Sequence, residues 1–146
     1  MFFSREVRLI RRILVVEDEP LTAFDNEYVL KQAGYDVVAT VDRVADAEAV
    51  LKEGGAVDLI ITDTSLRGRR TGVDLARQVQ PLGIPVLFAS ASIPHEAGEM
   101  SVVLGCLAKP FDSRDDLVDA IAACERLLGG KAPGRLPQGM MLFAVG

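Results

Sequence analysis

The chain has 146 residues, of which 49% are hydrophobic and 25% charged, and carries a formal net charge of -5. That length fits one domain with a substantial core, and the hydrophobic share excludes disorder over most of it. The acidic balance argues against a general nucleic-acid binder, which needs a basic stripe to neutralise phosphates; the basic clusters are short, at Arg5, Arg8, Arg11 and Arg12 and at Arg67, Arg69 and Arg70.

The first element is the run Ile13-Leu14-Val15-Val16, which stops abruptly at Glu17-Asp18-Glu19-Pro20. A short, continuously apolar, β-branched run predicts a strand buried on both faces. A helix is predicted from Leu21 to Ala33, with Phe24, Tyr28 and Leu30 in its apolar stripe and Gly34 as its stop. Tyr35 to Val41 reads as a strand, Val44 to Lys52 as a helix, and Leu59 to Thr62 as a third strand ending at Asp63. Residues 64–72 read as a loop, Val73 to Val79 as a helix ended by Pro81 and Gly83, and Pro85 to Ser90 as the fourth strand. A short helix over 94–103 and a brief strand from Gly105 to Ala108 follow. Asp112 or Ser113 can cap a last helix running to about Leu128, stopped by Gly129-Gly130.

Five strand-then-helix repeats imply an α/β fold: a parallel sheet with helices on both faces and right-handed crossovers. The flavodoxin-like, doubly wound strand order 2-1-3-4-5 is the leading choice at this size. Residues 1–11 are read as an extension, 12–128 as the domain, and 129–146 as a tail. Within the tail, Lys131 to Gly139 looks like a linker, and Met140 to Val145 is apolar enough to dock on the body or on a second copy.

Cys106 and Cys124 are too far apart for a Cys-x-x-Cys motif, and the default for each is a buried, reduced thiol. The N-terminus lacks a signal-peptide pattern, and no segment approaches the uncharged run of about 18 residues that a membrane helix needs. A cytoplasmic protein without membrane or nucleic-acid partners is the expectation.

Ligands in such sheets bind beyond the C-terminal strand ends. Glu17 and Asp18 follow the first strand, Asp63 ends the third, Ser90 ends the fourth and Lys109 follows the fifth. Strands 1, 3, 4 and 5 are neighbours in the order above, so these five residues meet at one edge. Three carboxylates together repel one another unless something compensates. Oxygen ligands without His or thiol favour Mg²⁺, or Mn²⁺, as that compensation. Lys109 supplies a cation that can pair with Asp63, and Ser90 a hydroxyl donor. A carboxylate nucleophile, a metal, a cation and a hydroxyl make a phosphoryl-transfer constellation.

The ordered set Glu17-Asp18, Asp63, Ser90-Ala91 and Lys109-Pro110-Phe111 resembles the receiver domains of two-component response regulators, over residues 12–128. The phrases from Ile13 to Pro20 and from Leu107 to Phe111 carry the likeness most strongly. The resemblance implies that Asp63 accepts the phosphoryl group, from a phosphohistidine on a histidine kinase or phosphotransfer protein. It implies that Glu17 and Asp18 organise Mg²⁺, with Asp63 and the Ser65 carbonyl completing the protein ligands. Ser90 would be the switch hydroxyl and Lys109 the phosphate ligand, joined to Pro110 by a cis bond.

Some positions depart from the family pattern. Ser90 stands where threonine is usual, Cys106 where tyrosine or phenylalanine is usual, and Thr71 where an acid is common. The arginines at 67, 69 and 70 read as a solvated face, with docking of an acidic partner as the sharper reading; His95 reads as incidental. The chain is expected to be a signalling phosphoacceptor rather than an enzyme, acting through contacts with an output protein or a second copy of itself. A pseudo-receiver that binds partners without phosphorylation is the alternative. A truncated transcription factor is a further one. A magnesium-dependent phosphatase fits poorly, because Ser65 stands where such enzymes place a second aspartate.

Overall fold

The computed structural model describes residues 8–92, 98, 102–111 and 113–143. Strands β1 (Arg12–Val16), β2 (Asp36–Val41), β3 (Leu59–Thr62), β4 (Val86–Ser90) and β5 (Gly105–Ala108) pair in parallel in the order 2-1-3-4-5. The helices are α1 (Pro20–Gln32), α2 (Val44–Lys52), α3 (Gly72–Val79) and α4 (Asp115–Leu128), with a 3-10 turn at Gln80–Leu82 after α3.

Alternate residues of a strand point to opposite faces. Ile13, Val15, Leu59, Ile61, Leu87 and Ala89 therefore face a core layer shared with Leu30 of α1 and with Leu117, Ala120, Ile121 and Cys124 of α4. Leu14, Val16, Ile60, Val86 and Phe88 face the layer filled by Val44 and Ala47 of α2 and by Leu75, Ala76 and Val79 of α3. Both faces of the central strands are covered, which is why they read as unbroken apolar runs.

Three features bear on the expectations, and the phase of α1 departs from them. A sixth strand, β6 (Met140–Leu142), pairs antiparallel with β5, so the tail is built into the sheet. Its linker closes with Gly139 at φ 83°, a left-handed conformation that suits glycine, and the Gly139 carbonyl accepts the Ala108 N–H at 3.0 Å. In α1, Phe24 and Tyr28 are 68% and 48% exposed; Asn26 and Leu30 are buried instead. The inward line runs through Ala23, Asn26, Leu30 and Ala33, and a polar residue in it hides the phase of the helix. Most of the helix expected over 94–103 lies outside the described residues; Gly98 is helical, and 102–104 are turn and bend.

Helix ends follow local chemistry. Thr71 and Asp74 form a reciprocal capping box at the start of α3, with the Thr71 hydroxyl accepting the Asp74 N–H at 3.2 Å and the Asp74 carboxylate accepting the Thr71 N–H at 2.8 Å. Before α4, the Ser113 hydroxyl accepts the Asp115 N–H at 3.2 Å and the Asp116 carboxylate accepts the Ser113 N–H at 3.1 Å. Asp112, the other expected cap, lies outside the described residues.

Candidate functional site

Strand register decides which side chains meet. Val16 pairs with Thr62 at the last step of β1 and β3, so Glu17 and Asp63 leave the sheet side by side. Ser90 pairs with Ala108, so Lys109 emerges next to Ser90. Backbone bonds extend this alignment one residue past the strands: Asp63 N–H donates to the Val16 carbonyl at 3.1 Å, Lys109 N–H to that of Ser90 at 3.0 Å, and Glu17 N–H to that of Val41 at 2.8 Å.

The five residues predicted to meet at this edge do meet. Carboxylate oxygens of Glu17, Asp18 and Asp63 all lie within 4.8 Å of one another. The Lys109 ammonium donates to Asp63 Oδ2 at 2.9 Å and also to Glu17 Oε1. Ser90 Oγ donates to Asp63 Oδ1 at 3.0 Å, and the Ser65 N–H reaches the same oxygen at 3.1 Å. Glu17 is only 4% exposed and Ser90 1%, so these contacts compete little with water. Burial alone would lower the Lys109 pKa, but hydrogen bonds and charge from Asp63 and Glu17 outweigh it and hold the pKa above the ordinary lysine value. The Lys109–Pro110 bond is cis.

Two contributors escaped the sequence reading. Thr64, counted as loop, places its hydroxyl 2.7 Å from Ser90 Oγ. A hydroxyl residue directly after a strand-end carboxylate was the available signal. Gly72, also counted as loop, donates its N–H to the Thr64 carbonyl at 3.0 Å. A Cβ at Gly72 would lie 1.8 Å from the Asp63 carbonyl oxygen, so only glycine lets the returning loop close on the strand end. No sequence signal distinguished this close approach from an ordinary turn glycine.

Beside the acids is a cleft of about 340 Å³ lined by Glu17, Asp18, Thr40, Asp42, Asp46 and Arg67. Arg70 is tied down instead: it pairs with Glu48 of α2, which also accepts from Gln78 of α3 at 2.6 Å. Those bonds pull the Glu48 pKa down to about 2. Cys106 and Cys124 are buried free thiols. Burial pushes Cys106 up to about 11, with the Asp63 charge adding to it, and Cys124 up to about 12. Neither is a reactive thiolate at neutral pH. His95 lies outside the described residues.

Residues 13–122 match the family model of the response regulator receiver domain. The chain belongs to that family. Receivers are signalling domains, generally not enzymes in the usual sense. This one is 33% identical over 111 residues to the uncharacterized transcriptional regulatory protein YbdJ of Bacillus subtilis, matching 73% of this chain and 48% of that one. It is 31% identical over 116 residues to the transcriptional regulatory protein PdtaR of Mycobacterium tuberculosis, matching 76% of this chain and 55% of that one. The receiver thus spans about half the length of the curated relatives it matches. Among solved structures, SdrG from Sphingomonas melonis Fr1 is 33% identical with a TM-score of 0.64, covering 80% of this chain and 97% of that one. Among the described residues no helix is long and apolar enough to cross a membrane.

Proposed function

We propose that this receiver takes a phosphoryl group on Asp63 from a phosphohistidine of a histidine kinase or phosphotransfer protein, and that the modified state changes its contacts with an output protein. The observation that carries the reading is the setting of one carboxylate. Asp63 has Lys109 on one oxygen, Ser90 and the Ser65 amide on the other, and two further acids alongside. A carboxylate oxygen forms a bond to phosphorus as the phosphorus–nitrogen bond breaks, and the electron pair stays with the imidazole. Lys109 and Ser90 already point at the two oxygens of Asp63 and stand ready to stabilise charge on the incoming group.

The donor set fits a hard divalent cation. Glu17, Asp18 and Asp63 offer only oxygen ligands, close enough to share one ion, and Ser65, whose N–H already turns back to Asp63, would add its carbonyl. Bound there, Mg²⁺ (or Mn²⁺) would neutralise the acids and draw charge from a phosphoryl oxygen. Lys109 holds part of that role already by bridging Glu17 and Asp63.

Intact-mass measurement after incubation with acetyl phosphate and Mg²⁺ tests the reading. Wild type should gain about 80 Da, one phosphoryl group, and Asp63→Asn should gain nothing. A folded wild type that gains nothing from acetyl phosphate or from kinase donors would make the chain a pseudo-receiver that acts by binding alone.

A further inference from the structure

We propose that Thr64 aims the Ser90 hydroxyl at the phosphoacceptor, and so is a positioning residue for the phosphoryl transfer; the proposal rests on Asp63 being that acceptor. Ser90 Oγ has one hydrogen to give and two lone pairs to offer. Among the described residues, three polar groups reach it: Asp63 Oδ1 at 3.0 Å, the Ser92 N–H at 3.1 Å and Thr64 Oγ1 at 2.7 Å. An ionised carboxylate only accepts and a backbone N–H only donates. Ser90 therefore gives its hydrogen to Asp63, the Ser92 amide fills one lone pair, and the Thr64 hydroxyl donates to the other. The relay runs one way, from Thr64 to Ser90 to Asp63.

A serine at this point needs such a device. Threonine's branched Cβ restricts its χ1, whereas an unbranched serine has three staggered wells open to it. Ser90 is buried, so a hydroxyl turned away from Asp63 would lose its partner without gaining water. Thr64 and the Ser92 amide together leave one orientation that satisfies every group. Thr64 is itself held: its carbonyl accepts the Gly72 N–H at 3.0 Å, and Gly72 is seated against the Asp63 backbone. The start of α3, the loop and the acceptor thus share one arrangement, and the hydrogen aimed at Asp63 Oδ1 is already in place for the group that arrives there.

The test is the rate at which the full chain gains a phosphoryl group from acetyl phosphate with Mg²⁺, followed by intact mass. In that reaction an Asp63 oxygen bonds to phosphorus as the phosphorus–acyl oxygen bond breaks, and acetate leaves with the electron pair. Thr64→Val, which removes the hydroxyl at nearly constant volume, is expected to slow the reaction about five- to tenfold. Thr64→Ser keeps the hydroxyl and should stay within about twofold of wild type. Thr64→Ala carries the same expectation as valine and covers the case in which the added methyl disturbs folding. The decisive variant is Ser90→Thr, whose own branching should make Thr64 dispensable. Adding Thr64→Val to it should then change the rate by less than about twofold, a non-additivity that a merely structural role does not produce. A wild-type rate in Thr64→Val, a Thr64→Ser as slow as valine, or additive effects in the double variant would each overturn the proposal while leaving Asp63 as acceptor. A wild type that takes up no phosphoryl group overturns both.

Discussion

Strand β5 meets two kinds of surroundings. Its C-terminal end hands Lys109 to a polar cluster in which one ammonium serves two carboxylates, with a third carboxylate close by. Its outer flank is covered by β6, where Met140 is only 8% exposed and packs into the core layer of α1 and α4. The flank is satisfied, with ladder bonds made and apolar area removed from water. The end is charge-rich and only partly balanced, so an arriving ion or phosphoryl group changes its energy. Changes on the flank should therefore act on stability, and changes at the end on chemistry.

The sharpest challenge to that division is Gly72, where loop closure presses on the backbone of the acceptor residue, Asp63. Gly72→Ala would drive a Cβ against the Asp63 carbonyl, and should cost about 3 kcal/mol in urea unfolding while also slowing phosphoryl uptake. Next is the flank itself. Met140→Ala should cost about 2 kcal/mol by urea unfolding and leave the phosphorylation rate unchanged. A slowed rate would show that the tail reaches the site through Gly139 and Ala108.

Lys109→Met should slow phosphoryl uptake at least tenfold, by the loss of one charged contact to the transferred group. Its stability signature has a definite sign. Because the folded Lys109 pKa lies above the ordinary value of 10.5, the ion pairs stabilise the fold fully below that pH. Their contribution fades as pH rises through the folded value. Thermal melts of wild type and variant should therefore converge in strong alkali. The smallest effect expected is at Glu48, whose depressed pKa reverses the sign. Its pairing with Arg70 and Gln78 is present above the ordinary value of 4.5 and lost as pH falls through about 2. Glu48→Gln should lower the melting temperature slightly at pH 7, hardly at all in molar salt, and by less at pH 2 than at pH 7, because about half of the carboxylate is protonated there.

The strands and the meeting of Glu17, Asp18, Asp63, Ser90 and Lys109 were legible because two strong signals coincide there. Apolar β-branched runs stop dead at polar residues, and a parallel sheet brings those stops to one edge. The rest depended on tertiary packing. Met140 to Leu142 is an apolar triplet with no alternation to show which flank it covers. Its fit relies on Gly105, where a Cβ would come within 2.4 Å of the Met141 carbonyl. Phe24 and Tyr28 looked like core residues because Asn26, polar and buried, occupied the inward line of α1. Thr64 was missed because its role lies in a hydrogen bond to a residue 26 positions away.

The sixth strand also bears on how copies of the protein treat one another. An open sheet edge presents unpaired N–H and C=O groups, and invites a strand from another molecule. Here the chain's own tail takes that place along Gly105, Cys106 and Leu107. Among the described residues the rim on that side, Met140–Leu142, is three residues long and runs against the direction of the rest of the sheet. Such a stub is a poor template for a foreign strand, so on this side of the sheet the tail takes the place where a second molecule's strand would otherwise pair.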